Sequence, residues 1–258
     1  MNDFILRVLD IVRSVRGIVL PHWGKAEIVE YKTERYESPV TQYDRDVERH
    51  IAEALKAEDP SIGFVGEESG GDRTKERFWL LDPIDGTTAF VQGLPYCTTM
   101  LALIENGRPT FSVIYDFIND ILYHAELGKG AYKDTLPIHV NSHGPSNATI
   151  GLESQRSKEQ AIIKRLEDQF RIFKTMTAGY EFVQVATGKI EGRICLEPYG
   201  IDYDFAPGTL LVSEAGGVVA NIGTDTYDYK NLDFIAANRQ VFDFLTTGSS
   251  PVFPIRVS

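Results

Sequence analysis

The chain has 258 residues, 26 Lys and Arg against 37 Asp and Glu, a formal net charge of −11 and 43% hydrophobic side chains. That length and apolar content fit one large α/β domain or two small ones with a sizeable core, and the acidic balance argues against a nucleic acid polymer or an anionic membrane surface as partner. The two cysteines, Cys97 and Cys195, sit among apolar residues; they give no disulfide framework and fit buried free thiols in a reducing cytoplasm.

At the N-terminus, Phe4, Ile5, Val8, Leu9, Val12, Val15 and Val19 predict one face of a first helix. Its interspersed Asp and Arg rule out a signal-peptide core, and no window approaches the ~18 apolar residues of a membrane span. Val47, Ile51, Ala54 and Leu55 predict a second helix that stops before Pro60. "SIGFVGEES" and "RFWLLDPI" read as strands. "YCTTMLALIENGRPTFSVIYDFINDILYHAE" holds three strand-like runs, separated by Asn106-Gly107 and by Ile118-Asn119-Asp120, as in an antiparallel meander. "KEQAIIKRLEDQF" and "GYEFVQVATG" read as helices, the second closed by Gly188. "GRICLE" is strand-like, and "YDFAPGTLLVSEAGGVVAN" is a helix ending at Gly216-Gly217 and followed by a strand. This irregular alternation, without repeats or linkers, predicts a layered α/β (α+β) fold with mixed sheets.

Carboxylates end or interrupt apolar runs in four places: Asp44 in "SPVTQYD", Glu67 and Glu68 in "FVGEES", Asp82 and Asp85 in "DPIDGT", and Asp204 in "IDYDFAPG". Taken singly, each has an ordinary explanation. Asp-Pro and Asp-Gly are turn pairs, Glu67-Glu68 suits a solvated loop, Asp44 suits a helix N-terminal turn, and Asp204 suits an N-cap. Together they suggest a site for hard divalent cations such as Mg²⁺, which take oxygen ligands and keep several waters. In "DPIDGT", Pro83 interrupts the strand ladder, so that the Ile84 carbonyl can turn in between the two carboxylates. Gly86 permits close backbone approach, and Thr87 begins a helix whose free amides suit a phosphate.

"GEES", "WLLDPIDGTTAF" and "YDFAPGTLLVSEAGG", in that order over about residues 3 to 246, resemble the inositol monophosphatase family of metal-dependent phosphomonoesterases. Two positions depart from its pattern: Tyr203 stands where the family usually has Trp, and Pro207 stands within a small-residue run, read as a helix's first turn, where Pro is tolerated. The resemblance implies an αβαβα sandwich forming a single domain over 1–258, with halves at about 1–137 and 138–258. It implies a homodimer that needs two or three Mg²⁺, with Mn²⁺ as a substitute, and that Li⁺ inhibits; the cysteines and the N-terminal pattern add the expectation of a cytoplasmic protein. Glu67, Asp82 and the Ile84 carbonyl would hold one ion. Asp82, Asp85 and Asp204 would hold a second, with Asp82 bridging. Asp44 and Glu67 would reach a weaker third site. Thr87, paired with Asp44, would orient and help deprotonate the attacking water, and the amides of Gly86 and Thr87 would bind the phosphate. Two metal ions ~3.5–4 Å apart suit such an in-line displacement on a small phosphorylated metabolite.

For the substrate hydroxyls, counting back from Asp204 points to Glu197, whereas counting forward from "VATG" points to Cys195. A carboxylate is the better acceptor for a polyol, which favours Glu197. The family also includes fructose-1,6-bisphosphatases, histidinol phosphatases and 3′,5′-bisphosphate nucleotidases, for which Arg156 or Lys158 would supply a cation, although a solvated helix start is the plainer reading. An aspartyl-phosphate mechanism with Asp82 as nucleophile expects two acids two apart near the N-terminus, whereas Asp82 and Asp85 are three apart and follow a substantial N-terminal region. A non-catalytic binding protein expects the loss of a carboxylate, and none is lost. The leading expectation is a metal-dependent sugar or polyol monophosphatase.

Overall fold

The computed structural model describes residues 3–32, 38–155, 160–175 and 177–256. Two helices, α1 (Asp3–Ser14) and the short α2 (Arg16–Val19), share the apolar face that the sequence assigns to one. The break falls at Val15, after Ser14 turns its hydroxyl back to the Ile11 carbonyl at 2.6 Å, a contact of the kind that bends helices. Val15 and Val19 stay fully buried across it.

Two short strands follow, β1 (Ile28–Lys32) and β2 (Ser38–Thr41), then α3 (Gln42–Glu58), β3 (Gly63–Gly66), β4 (Gly70–Gly71) and β5 (Arg77–Asp85). After α4 (Thr87–Gln92) comes the meander β6 (Thr98–Glu105), β7 (Arg108–Asp116) and β8 (Ile121–Glu126). Asn106 and Gly107 take φ of 50° and 77°, as a type I′ hairpin turn demands. The short β9 (Ala131–Lys133) and β10 (Leu136–Ile138) complete this part. The remainder runs β11 (Thr149–Ser154), α5 (Gln160–Gln169), β12 (Arg171–Phe173), α6 (Ala178–Ala186), β13 (Gly192–Leu196), α7 (Asp202–Glu214), β14 (Val218–Asn221), β15 (Phe234–Ala237) and α8 (Arg239–Thr246).

Besides the β1–β2 pair there are two sheets. The first has the order β10-β9-β8-β7-β6-β5-β3-β4, the second β12-β11-β13-β15-β14. Each is mixed: β3 runs parallel to β5 in the first, and β11 runs parallel to β12 and β13 in the second. The core follows the sheets. Val8, Val12, Val47 and Ile51 of α1 and α3 pack on Trp79, Leu101 and Val113 of the first sheet. On its other face, Met100 and Ile114 meet Phe182 and Leu211 of α6 and α7, which also pack on Cys195 and Phe234 of the second sheet. Beyond that sheet, Ile150, Ile194 and Ile235 meet Leu166 of α5 and Phe242 of α8. The layers therefore alternate α, β, α, β, α. Strand β5 is buried from Phe78 to Asp85, which is why it reads as a continuous apolar run: both its faces are covered.

Pro207 differs from expectation. It is the sixth residue of α7, inside the helix rather than in its first turn, and buried. Having no N–H, it leaves the Tyr203 carbonyl without its helical donor.

Candidate active site

The site forms where β5 leaves the first sheet. Asp82 pairs with Met100 but Asp85 with Thr98, so β5 advances three residues while β6 advances two. This bulge re-aims side chains, as bulges beside functional sites do. The Pro83 carbonyl, freed from the ladder, accepts the Thr99 hydroxyl at 2.8 Å, and the Ile84 carbonyl accepts the Thr87 hydroxyl at 3.0 Å. Gly86 then takes φ 82° as N-cap of α4. A side chain there is excluded twice over, because its Cβ would lie 2.3 Å from Thr177 Cγ2 and 2.7 Å from the Tyr96 carbonyl. The amides of Gly86 and Thr87 open the first turn of α4, where helical partners are lacking.

Three acids converge. Asp82, Asp85 and Asp204 each offer a carboxylate oxygen, and these oxygens all lie within 4.8 Å of one another. Asp85 is held from behind: its Oδ1 accepts the Ala178 amide at 2.9 Å, and its Oδ2 accepts the Gly179 amide at 2.8 Å and the Thr98 hydroxyl at 3.1 Å. The N-terminus of α6 thus orients it. Asp204 is not the N-cap of α7 but its third residue; Ile201, in an extended conformation, occupies the cap and donates its amide to Asp204 Oδ2 at 2.6 Å. The other acid of "DYD", Asp202, pairs with Arg73. Asp82 is 1% exposed, and its Oδ1 is buried with no hydrogen-bond partner.

Burial, reinforced by the charges of Glu67, Asp204 and Asp85, pushes the Asp82 carboxyl well above the usual carboxylate range. Burial and the Glu67 charge do the same to Asp204, and burial lifts Asp85 to about 6 against the donors that hold it. A cluster of acids with one buried, orphaned oxygen lacks positive charge. A hard divalent ion fits that donor set of carboxylates.

Asp44 and Glu67 flank the cluster. Asp44 sits at the third position of α3 in a capping box with Thr41, whose amide and hydroxyl both reach Asp44 Oδ2 at 2.7 Å. Its Oδ1 accepts the Thr87 hydroxyl at 3.1 Å. That hydroxyl has one proton and two acceptors, Asp44 and the Ile84 carbonyl. Glu67 lies near enough to Asp82 to raise its pKa, but its Oε1 also pairs with Lys32 of β1 at 2.8 Å. Lys32 holds Glu68 as well, whose carboxyl burial lifts to about 7.

The two residues considered for the substrate hydroxyls part company. Cys195 is fully buried in the core, where burial raises its thiol pKa. Glu197 is half-buried just beyond β13 with φ 47°; its amide donates to Asp233 Oδ1 at 2.7 Å and its carbonyl accepts the Gln155 amide at 3.1 Å. Arg156 and Lys158 lie outside the described residues.

One group behind the site left no mark in the sequence. Arg193, 2% exposed, pairs with Glu181 of α6 and Glu153 of β11 and lies over the ring of Phe182, 5.1 Å from its centroid. Glu153 Oε1 accepts the amides of Tyr199 and Gly200, both at 2.9 Å, on the segment leading to Asp204. Glu181 Oε1 accepts the Thr175 amide at 2.8 Å, just ahead of the α6 amides that hold Asp85. Its partners lie 12 and 40 residues away, so no local pattern announces them.

The sequence and the fold resemble those of known proteins. The sequence profile of the inositol monophosphatase family matches residues 5–249. A "Fructose-1,6-bisphosphatase/inositol-1-monophosphatase" of Thermotoga maritima is 30% identical over 246 residues, covering 93% of this chain and 92% of its own. A "Nus factor SuhB" of Xylella fastidiosa is 31% identical over 221 residues, covering 81% and 78%. Among solved structures, an IMPase of Thermotoga maritima superposes with TM-score 0.83 at 27% identity, covering 91% of this chain and 92% of that one.

Proposed function

This chain belongs to the inositol monophosphatase family of phosphomonoesterases, and from that premise we propose that it hydrolyses a small sugar or polyol phosphate monoester with Mg²⁺, or Mn²⁺ in its place. It rests on the convergence of buried Asp82 and Asp85 with half-buried Asp204, and on the unpartnered Asp82 Oδ1, beside the first turn of α4.

In this reading, Glu67, Asp82 and the Ile84 carbonyl would hold one ion, Asp82, Asp85 and Asp204 would hold a second, and Asp44 with Glu67 would reach a third. Bound divalent ions offset the charge of the phosphate dianion and lower the pKa of an attacking water. The chain's own groups do the rest. The Thr87 hydroxyl accepts a hydrogen bond from the water and passes its own proton toward Asp44, which serves as the base. The amides of Gly86 and Thr87 take the phosphate oxygens, favoured by the start of α4. Glu197 accepts hydrogen bonds from the hydroxyls of the polyol. No covalent enzyme intermediate is needed.

The proposal extends to a single functional unit over 1–258, with halves meeting near 137 and 138; a core drawn from both sheets supports it. It also includes a cytoplasmic homodimer and inhibition by Li⁺. No helix among the described residues is long and apolar enough to cross a membrane.

The test is phosphate release in Mg²⁺ from inositol 1-phosphate, fructose 1,6-bisphosphate, histidinol phosphate and adenosine 3′,5′-bisphosphate. Highest kcat/KM on inositol 1-phosphate supports the reading. A clear preference for either bisphosphate or for histidinol phosphate replaces the substrate class, and no release from any of them contradicts the activity.

A further inference from the structure

Helix α3 carries a second buried carboxylate one turn beyond Asp44. Glu48 is 4% exposed, and its two oxygens accept the amides of Glu68 and Ser69, each at 2.8 Å. These amides belong to the turn between β3 and β4, the turn that carries Glu67. Gly66, at the end of β3, makes room for the contact: a Cβ there would lie 2.3 Å from Glu48 Cδ and Oε2. Gly66 is absent from the residues with positive φ, so glycine is required here for space and not for conformation.

We infer that Glu48 is a positioning residue for the metal site, clamping the β3–β4 turn from α3 so that Glu67 faces Asp82. Lys32 supplies an opposing pull. Lys32 pairs with both Glu67 and Glu68 from β1, a strand exposed along most of its length. Two part-buried hydrogen bonds from amides to a carboxylate fix the turn against that pull, and bonds to a charged acceptor are the stronger kind. The Glu67 amide, donated to the Leu81 carbonyl at 3.0 Å, is the third anchor. One helix thereby places Asp44 directly and Glu67 through Glu48. The inference rests on the metal-site reading above.

Two substitutions release the clamp differently. Glu48→Gln keeps the shape but turns an amide donor toward one of the two backbone N–H groups. Gly66→Ala keeps the carboxylate and pushes it away. The readout is the Mn²⁺ dissociation constant of the metal-stripped full-length protein, from the electron paramagnetic resonance signal of free Mn²⁺, with melting in EDTA to confirm folding. Groups that orient metal ligands are typically worth 10–100-fold in affinity, so each variant is expected to bind at least about tenfold more weakly. The double variant should be no weaker than the worse single one, because both break the same contact. Parent-like affinity in folded Glu48→Gln, or in folded Gly66→Ala where the first does not fold, overturns the inference while leaving the metal site intact. So does a purely structural outcome, in which melting falls and Mn²⁺ affinity is unchanged. A parent chain that binds no Mn²⁺ overturns the metal reading itself.

Discussion

Replacing Asp44 by Asn should stabilise the metal-free protein at neutral pH relative to acid pH. Burial lifts the Asp44 carboxyl from its ordinary 3.8 to about 6, with the Glu67 charge adding to the effect and the donors Thr41 and Thr87 opposing it. A folded-state pKa above the unfolded one means stability fully present below about pH 4 and lost as pH rises through about 6. A shift of roughly two units corresponds to about 3 kcal/mol at ~1.4 kcal/mol per unit, or about 6–12 °C in melting temperature for a chain of this size. Asn does not titrate, so the difference between parent and Asp44→Asn isolates this group. Asp82, Asp85 and Asp204, also raised, and His124, lowered by burial and opposite in sign, are present in both proteins. The assay is melting temperature in excess EDTA from about pH 4 to about pH 8. Asp44→Asn should gain on the parent progressively across that window. A difference that stays constant with pH would mean that Asp44 titrates alike in the folded and unfolded chain. Excess Mn²⁺ should shrink or reverse the gain, because metal ligands must be ionised to bind.

Thr87→Ala should lower kcat by about 10²–10⁴, the usual worth of general-base assistance, with Mn²⁺ affinity and KM changed far less; Thr87→Ser should keep most activity. Unchanged saturated kcat with weakened metal binding would show that Thr87 serves the ions and not the water. Arg193→Met leaves Glu181 and Glu153 without their buried cation, and breaking such a pair costs about 3–5 kcal/mol. Urea unfolding measures it, and a loss well below 1 kcal/mol would mean the two carboxylates find other partners.

The acids were legible because each interrupts an apolar run, and a buried strand that ends in carboxylates is hard to explain otherwise. The meander was legible from Asn106-Gly107, whose φ values a hairpin turn demands. Short elements were not. The pairs β1–β2 and β9–β10, and β4 and β12, are too brief to show a period, and β1 is mostly exposed. The offset of Asp204 was missed because Ile201, an unusual cap residue, starts α7 through its backbone conformation rather than its side chain. The "DYD" triplet does not say which acid faces the cluster, since Arg73, which claims Asp202, comes from a distant loop. Glu48 reads as one more charge on an amphipathic helix until its contact with the turn after Gly66 is seen.

On this reading the acids end β5 because a divalent ion belongs there. The most direct test is phosphate release from the best ester of the substrate panel, using protein dialysed extensively against EDTA, then with Mg²⁺ restored, alongside Asp82→Asn treated identically. Turnover should vanish without metal and recover fully on adding Mg²⁺, and folded Asp82→Asn should lose several orders of magnitude that Mg²⁺ does not repair. Undiminished turnover in excess EDTA, or near-parental kcat in Asp82→Asn, would contradict it.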